Sequence, residues 1–261
     1  MNRIDELFLC KRNNILSIYF TAGYPELNST ATLIKLLAEG GADMIEIGMP
    51  FSDPLADGPV IQRSNETALR NGISLKILFN QLSGIRKTIN IPLLLMGYLN
   101  PVLRFGIENF CKKCSETGID GVILPDLPPE IYKKEYSGLF SRNGLYNILL
   151  ISPRTDNERV RIIDSISRGF VYMVSSSSTT GVKGQFTERQ IEYFRRIKEM
   201  NLLNPLMIGF GISDNSTFKE ACQMANGAIV GSAFIKFLSD KKPDKVLIEG
   251  FIDRIRNSSI T

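Results

Sequence analysis

The sequence predicts an α/β fold of the (β/α)8 type, a TIM barrel preceded by one short extra N-terminal helix. Three observations carry that prediction. Short apolar strands alternate with helical stretches along the whole chain, giving eight strand and helix units. The 261 residues match the roughly 250 that such a barrel uses, so one domain over 1–261 accounts for the chain. No G-x-G-x-x-G follows the first strand, which counts against an open dinucleotide-binding sheet.

Residues 3–11 have the apolar spacing of a short amphipathic helix. Residues 15–23 read as the first strand, ended by Gly23 and Pro25, and 29–39 as the helix after it, stopped at Gly40 and Gly41. The unit then repeats. Strand 42–48 is followed by helices 60–70 and 75–88, strand 91–98 by helix 107–116, strand 121–125 by helix 129–142, and strand 147–152 by helix 157–167. Strand 170–175 leads to helix 187–200, strand 205–209 to helix 215–224, and strand 227–230 to a final helical stretch reaching Ile255. Apart from the polar run 175–180 and a frayed tail expected after Asn257, no linker or low-complexity segment divides the chain.

Composition removes several classes of chemistry. Lys and Arg number 31 against 27 Asp and Glu, and the net charge of +4 is spread without a basic block, so no nucleic-acid partner is expected. The first residues lack the apolar core of a signal peptide, and no apolar run approaches the roughly 18 residues of a membrane span. The expected location is the cytoplasm, with no membrane partner. Four cysteines are too few for a disulfide scaffold. Cys111 and Cys114 form a C-x-x-C inside a helical pattern, without a second pair, and no metal site is expected there. The chain has no histidine, which removes Ser-His-Asp and Cys-His catalysis and histidine-ligated metals together. Proton transfer falls to carboxylate, Tyr, Lys or Cys.

The pattern breaks in one place. A strand covered on both faces reads as a continuous apolar run, and an acid within it costs several kcal/mol unless it is paired or neutral. Glu46 sits in the middle of such a run, Met44-Ile45-Glu46-Ile47-Gly48. Burial would raise its pKa toward neutrality, which suits a group that gives and takes a proton. A structural ion pair with a Lys or Arg of a neighbouring strand is the other reading. Asp57, in the loop that follows, offers a second carboxylate able to fold over the strand end, and paired carboxylates are what acid/base chemistry uses. Barrels place their chemistry at the C-terminal strand ends, where both acids fall.

Glycines mark the far side. Gly209-Phe210-Gly211-Ile212-Ser213 ends strand seven and Gly231-Ser232 ends strand eight. Loops at these two strands commonly hold a phosphate on bare backbone N–H groups, so a phosphorylated small-molecule substrate is expected, although the glycines alone could simply turn the chain. The loop 175–184, rich in serine and bounded by Gly181 and Gly184, reads either as a lid or as a solvated linker.

On these residues the chain resembles the tryptophan synthase α chain family. The run from Glu46 to Pro59, Glu46-Ile47-Gly48-Met49-Pro50-Phe51-Ser52-Asp53-Pro54-Leu55-Ala56-Asp57-Gly58-Pro59, looks like that family's most specific signature. Phe20-Thr21-Ala22-Gly23-Tyr24-Pro25, Tyr98-Leu99-Asn100-Pro101, Asp126-Leu127-Pro128 and Gly209-Phe210-Gly211-Ile212-Ser213 follow in the family's order, and the likeness spans essentially the whole chain. The resemblance implies retro-aldol cleavage of indole-3-glycerol phosphate to indole and glyceraldehyde 3-phosphate, with no cofactor in this chain. It matches Glu46 to the family's acid/base glutamate and Asp57 to the catalytic aspartate that hydrogen-bonds the indole N–H. By the same mapping Tyr19, Ile61, Tyr172 and Phe210 line the indole pocket, and the backbones of Gly181 or Gly184, Gly211, Gly231 and Ser232 hold the phosphate. The implied partner is a β chain carrying pyridoxal phosphate, in an α2β2 heterotetramer, which receives indole through a tunnel and joins it to serine. Asp53 and the turns at 98–101 and 126–128 match regions that face that partner. One position departs from the pattern. The family's Gly-Val-Thr-Gly in the strand-six loop is here Gly181-Val182-Lys183-Gly184, which leaves Thr179 or Thr180 to replace the threonine that orders Asp57.

Other readings differ at particular residues. A Schiff-base aldolase wants a lysine in strands five to seven, where none occurs, a metal aldolase wants histidine, and barrel isomerases with paired aspartates at strands one and five find none there. A lyase that works without a partner and a non-catalytic allosteric barrel subunit remain as alternatives to the catalytic α subunit.

Overall fold

A computed structural model describes residues 1–54, 57–175, 186–239 and 241–257. In chain order its strands are β1 Ile15–Thr21, β2 Met44–Gly48, β3 Leu93–Met96, β4 Gly121–Ile123, β5 Tyr146–Asn147, β6 Leu149–Ile151, β7 Val171–Val174, β8 Leu206–Gly209 and β9 Gly227–Val230. Their order in the sheet is β5-β4-β3-β2-β1-β9-β8-β7-β6, and the pairs run parallel. The two strands at the ends of that order, β5 and β6, are separated in the chain by Ile148 alone. The order therefore leaves from and returns to one stretch of backbone, and the sheet is a nearly closed barrel.

That explains nine segments where eight strands are expected. The fifth strand is parted at Ile148, so that Tyr146–Asn147 pair with β4 and Leu149–Ile151 with β7. Ile148 itself still donates its N–H to the Val122 carbonyl at 2.9 Å. The sequence also read residues 129–142 as one helix, and the structure holds a π-helical turn, Tyr132–Tyr136, between two α-helical pieces. Leu99–Phe105 is a helix that the turn-like Leu99-Asn100-Pro101 conceals. Proline is tolerated in a helix's first turn because the N–H it lacks would have no partner there.

Strands β1, β2, β8 and β9 are buried along their whole length, as barrel strands enclosed by side chains inside and helices outside must be. Outside them the helix layer packs on fully buried aromatic rings, Phe110 and Phe194 among them. The extra N-terminal helix, Arg3–Cys10, closes the N-terminal mouth. The Asn2 side chain caps it by accepting from the Ile4 N–H, and fully buried Ile4 lies against Gly121 and Gly169 at the starts of β4 and β7.

Buried and half-buried acids at this N-terminal end are saturated with partners. Asp120 is paired with Arg3 at 3.0 Å and with Arg86, and it accepts the Leu93 N–H at 2.8 Å. Asp43 is paired with Lys11 at 2.7 Å and Arg256 at 2.6 Å, and accepts the Leu16 N–H at 2.8 Å. Asp164 accepts the N–H groups of Leu203 at 2.8 Å and Asn204 at 3.0 Å.

Candidate active site

The opposite mouth, at the C-terminal ends of the strands, is built differently. Register places Glu46 beside Tyr19 of β1 and Leu94 of β3, two residues before the barrel's rim at Gly48. Glu46 is 0% exposed and has no ion pair among the described residues, so the structural-bridge reading of its burial fails. Its Oε1 accepts the Ser17 hydroxyl at 3.0 Å, and its Oε2 is buried with no hydrogen-bond partner. Burial without a cation favours the neutral acid and pushes the Glu46 pKa up to about 8, the Ser17 hydrogen bond pulling it back.

Asp57 follows β2 in the loop that leads into helix Pro59–Arg70. Burial lifts its pKa to about 6, opposed by hydrogen bonds from the Tyr98 hydroxyl and the Asn65 side chain. Asn65 lies on that same helix and is 3% exposed. The Asp57 backbone is held too, its carbonyl accepting from Gln62 Nε2 at 2.9 Å. Two carboxyls near one rim therefore favour different protonation states between about pH 6 and 8, Asp57 ionised and Glu46 neutral.

Two phenols complete the mouth. Tyr19 and Tyr172 are both buried, and the phenol of each is held far above its ordinary range, chiefly by burial and then by the charges of Glu46 and Asp57. Each ring lies over a strand-end glycine. A β-carbon on Gly48 would collide with the Tyr19 hydroxyl, and one on Gly209 with that of Tyr172, so neither position tolerates alanine without moving a ring. Beyond them Phe210 packs edge-on against Tyr172 with centroids 6.4 Å apart. Phe210 has φ 69°, which is uncommon for a side chain of its bulk, and its carbonyl is anchored by the Ser175 hydroxyl at 2.7 Å.

The structure thus brings together Tyr19, Glu46, Asp57, Tyr172 and Phe210. Ile61 is buried in the first turn of the helix that follows Asp57. Gly211 and Gly231 stand at the ends of β8 and β9, and Ser232 opens the helix Ser232–Leu238. Gly231 is close to the aromatic group, since a β-carbon there would lie 3.4 Å from the Tyr19 ring. Gly181 and Gly184, with Thr179, Thr180 and Lys183, lie outside the described residues, and so does the lid or linker they belong to. Sequence reading passed over Ser17 and Asn65. Ser17 carried a usable signal, a hydroxyl within the apolar run Ile15-Leu16-Ser17-Ile18, and Asn65 carried none beyond being polar on a helix. Tyr98, read as the end of strand 91–98 and as part of a turn matched to the partner-facing region, is also a hydrogen-bond partner of Asp57. Among the described residues no group of three or more His, Cys, Asp or Glu side chains is placed to hold a metal, and no helix is long and apolar enough to cross a membrane.

Comparison with known proteins follows the same lines. A family profile described as tryptophan synthase alpha chain matches residues 8–251. The chain is similar to the tryptophan synthase alpha chain of Flavobacterium psychrophilum, with 58% identity over 240 residues, 92% of this chain and 94% of that one. Among solved structures it resembles tryptophan synthase subunit alpha from Legionella pneumophila, with TM-score 0.87, 36% identity and coverage of 98% and 97% of the two chains. It also resembles a chain of the tryptophan synthase complex from Pyrococcus furiosus, with TM-score 0.83, 33% identity and coverage of 94% and 98%.

Proposed function

The chain belongs to the tryptophan synthase alpha chain family, and on that premise we propose that Glu46 and Asp57 are the catalytic pair of its lyase reaction. The family's reaction is cleavage of indole-3-glycerol phosphate to indole and glyceraldehyde 3-phosphate, and the chain is a lyase of this type. The observation that carries the assignment is the Glu46 carboxyl, fully buried without a cation and with Oε2 unpartnered among the described residues.

The chemistry needs two proton movements. Glu46, neutral when substrate arrives, gives its proton to C3 of the indole ring, and the charge that develops on the ring is stabilised by Asp57 accepting a hydrogen bond from the ring N–H. Glu46, now a carboxylate, takes the proton of the glycerol hydroxyl adjacent to the ring. As the aldehyde forms, the carbon–carbon bond breaks and its electron pair returns to the ring. Indole and glyceraldehyde 3-phosphate result, with Glu46 protonated again and no net proton consumed.

Tyr19, Ile61, Tyr172 and Phe210 are proposed to hold the indole, and the backbones of Gly211, Gly231 and Ser232, together with Gly181 or Gly184, the phosphate. The rings of Tyr19, Tyr172 and Phe210 support the first assignment, and the second is supported by Gly211 and Ser232, which are exposed just beyond the buried ends of β8 and β9. We further propose a cytoplasmic subunit with no cofactor of its own, joined in an α2β2 heterotetramer to a β chain whose pyridoxal phosphate uses the indole. Adding indole-3-glycerol phosphate to the purified chain with and without a tryptophan synthase β chain tests this. Slow indole release that rises sharply with the β chain is expected. Release indifferent to the β chain would mark a lyase that works alone, and substrate binding without release would mark an allosteric subunit.

A further inference from the structure

A hydroxyl buried in a barrel interior costs free energy unless it is hydrogen-bonded. Ser17 is 0% exposed on β1, in a run otherwise apolar, and its partner is Glu46 Oε1 at 3.0 Å. In the parallel ladder Ser17 is level with Met44 and Tyr19 with Glu46, so Ser17 lies two residues nearer the N-terminal end than the carboxyl and holds it from below. Among the described residues this is the side-chain hydrogen bond that Glu46 makes, and its other oxygen has none. The remaining groups that act across this space are the phenols of Tyr19 and Tyr172 and the Asp57 carboxylate, with no cation among the described residues.

A neutral carboxylic acid has one carbonyl oxygen and one hydroxyl. The carbonyl oxygen is the stronger acceptor of the two, so with Ser17 donating to Oε1 the proton belongs on Oε2. We infer that Ser17 is the positioning residue of the reaction, fixing the Glu46 carboxyl through Oε1 so that the transferable proton is carried on Oε2. This rests on the reading of Glu46 as proton carrier and extends it. After Glu46 has given its proton, the same Ser17 hydroxyl stabilises the carboxylate, so the group can return to take the second proton. One hydroxyl serves both halves of the cycle without rotating the acid.

The test compares Ser17→Ala and Ser17→Thr with Glu46→Gln, measuring indole release with the β chain across roughly pH 5 to 10. Ser17→Ala is expected to lose about tenfold in kcat with KM within about twofold, as befits one hydrogen bond to a charged group. Its alkaline limb moves to higher pH, because the carboxylate has lost its donor. Ser17→Thr keeps the hydroxyl and returns the limb to its wild-type position. Infrared titration of the protonated carboxyl band that disappears in Glu46→Gln follows the same group without turnover, and its midpoint also moves to higher pH in Ser17→Ala. An unmoved limb and an unmoved infrared midpoint overturn the proposal, whatever happens to stability. If Glu46→Gln retains turnover while the infrared midpoint moves, the hydrogen bond stands but the proton-carrier reading beneath it falls, and the positioning role with it.

Discussion

The two mouths of this barrel hold the same kind of residue in opposite conditions. At the N-terminal end Asp120 is 3% exposed, yet it meets two arginines and a backbone N–H. At the C-terminal end Glu46 is 0% exposed and meets one serine hydroxyl. Burial alone therefore says little about what an acid does. Partners decide it: a carboxylate given cations fastens elements together, and one denied them becomes a neutral acid able to donate its proton. This division follows the general plan of barrel enzymes, in which the N-terminal face serves stability and the C-terminal face chemistry.

Substitutions of the two sets should separate the effects. Asp57→Asn removes a carboxylate that faces developing charge, and indole release is expected to fall about a hundredfold or more in steady-state assay, with the thermal midpoint little changed. Activity within a fewfold of wild type would remove Asp57 from the mechanism. The pH profile sharpens the contrast. Asp57 must be ionised, so kcat/KM rises through its pKa of about 6, and Glu46 must be protonated, so kcat/KM falls beyond about 8. Asn65→Ala takes a hydrogen bond from the Asp57 carboxylate, which raises its pKa further, and the acid limb should then move to higher pH while the alkaline limb stays. A profile without an alkaline limb would contradict the Glu46 assignment.

Changes at the other mouth should reverse the pattern. Asp120→Asn leaves Arg3 and Arg86 facing an amide at a site 4% exposed in its side chain, and unfolding by denaturant is expected to show a loss of about 3 kcal/mol. Activity per folded molecule stays within about twofold of wild type, since nothing at that end touches the reacting atoms. Arg3→Ala, whose side chain is 37% exposed and whose partner keeps Arg86, costs only about 1 kcal/mol in the same measurement. A large activity loss in either variant at conserved stability would break the distinction between the two ends.

Much of this arrangement is legible in the sequence, and the reasons are local. Ser29–Glu39, Asn215–Met224 and Gly227–Val230 have the bounds read from spacing, because glycine, capping residues and apolar periodicity agree there. Strand ends were read too long where apolar residues run past the ladder, as in 91–98 against Leu93–Met96. Glu46 was visible because an acid in an apolar strand is anomalous on its own. The ion pairs of Asp120 were not, since Arg3 and Arg86 lie 117 and 34 residues away along the chain. Ser17 and Asn65 needed the ladder and the helix in place before their partners could be named.

The central claim is that the uncompensated carboxyl of Glu46 carries the proton, and Glu46→Gln tests it most directly because the amide keeps the shape and removes the acid. The variant, assayed for indole release from indole-3-glycerol phosphate beside wild type and with the β chain present, is expected to fall at least about a thousandfold while still folding and binding substrate. Turnover near the wild-type rate in a correctly folded Glu46→Gln protein would contradict the account.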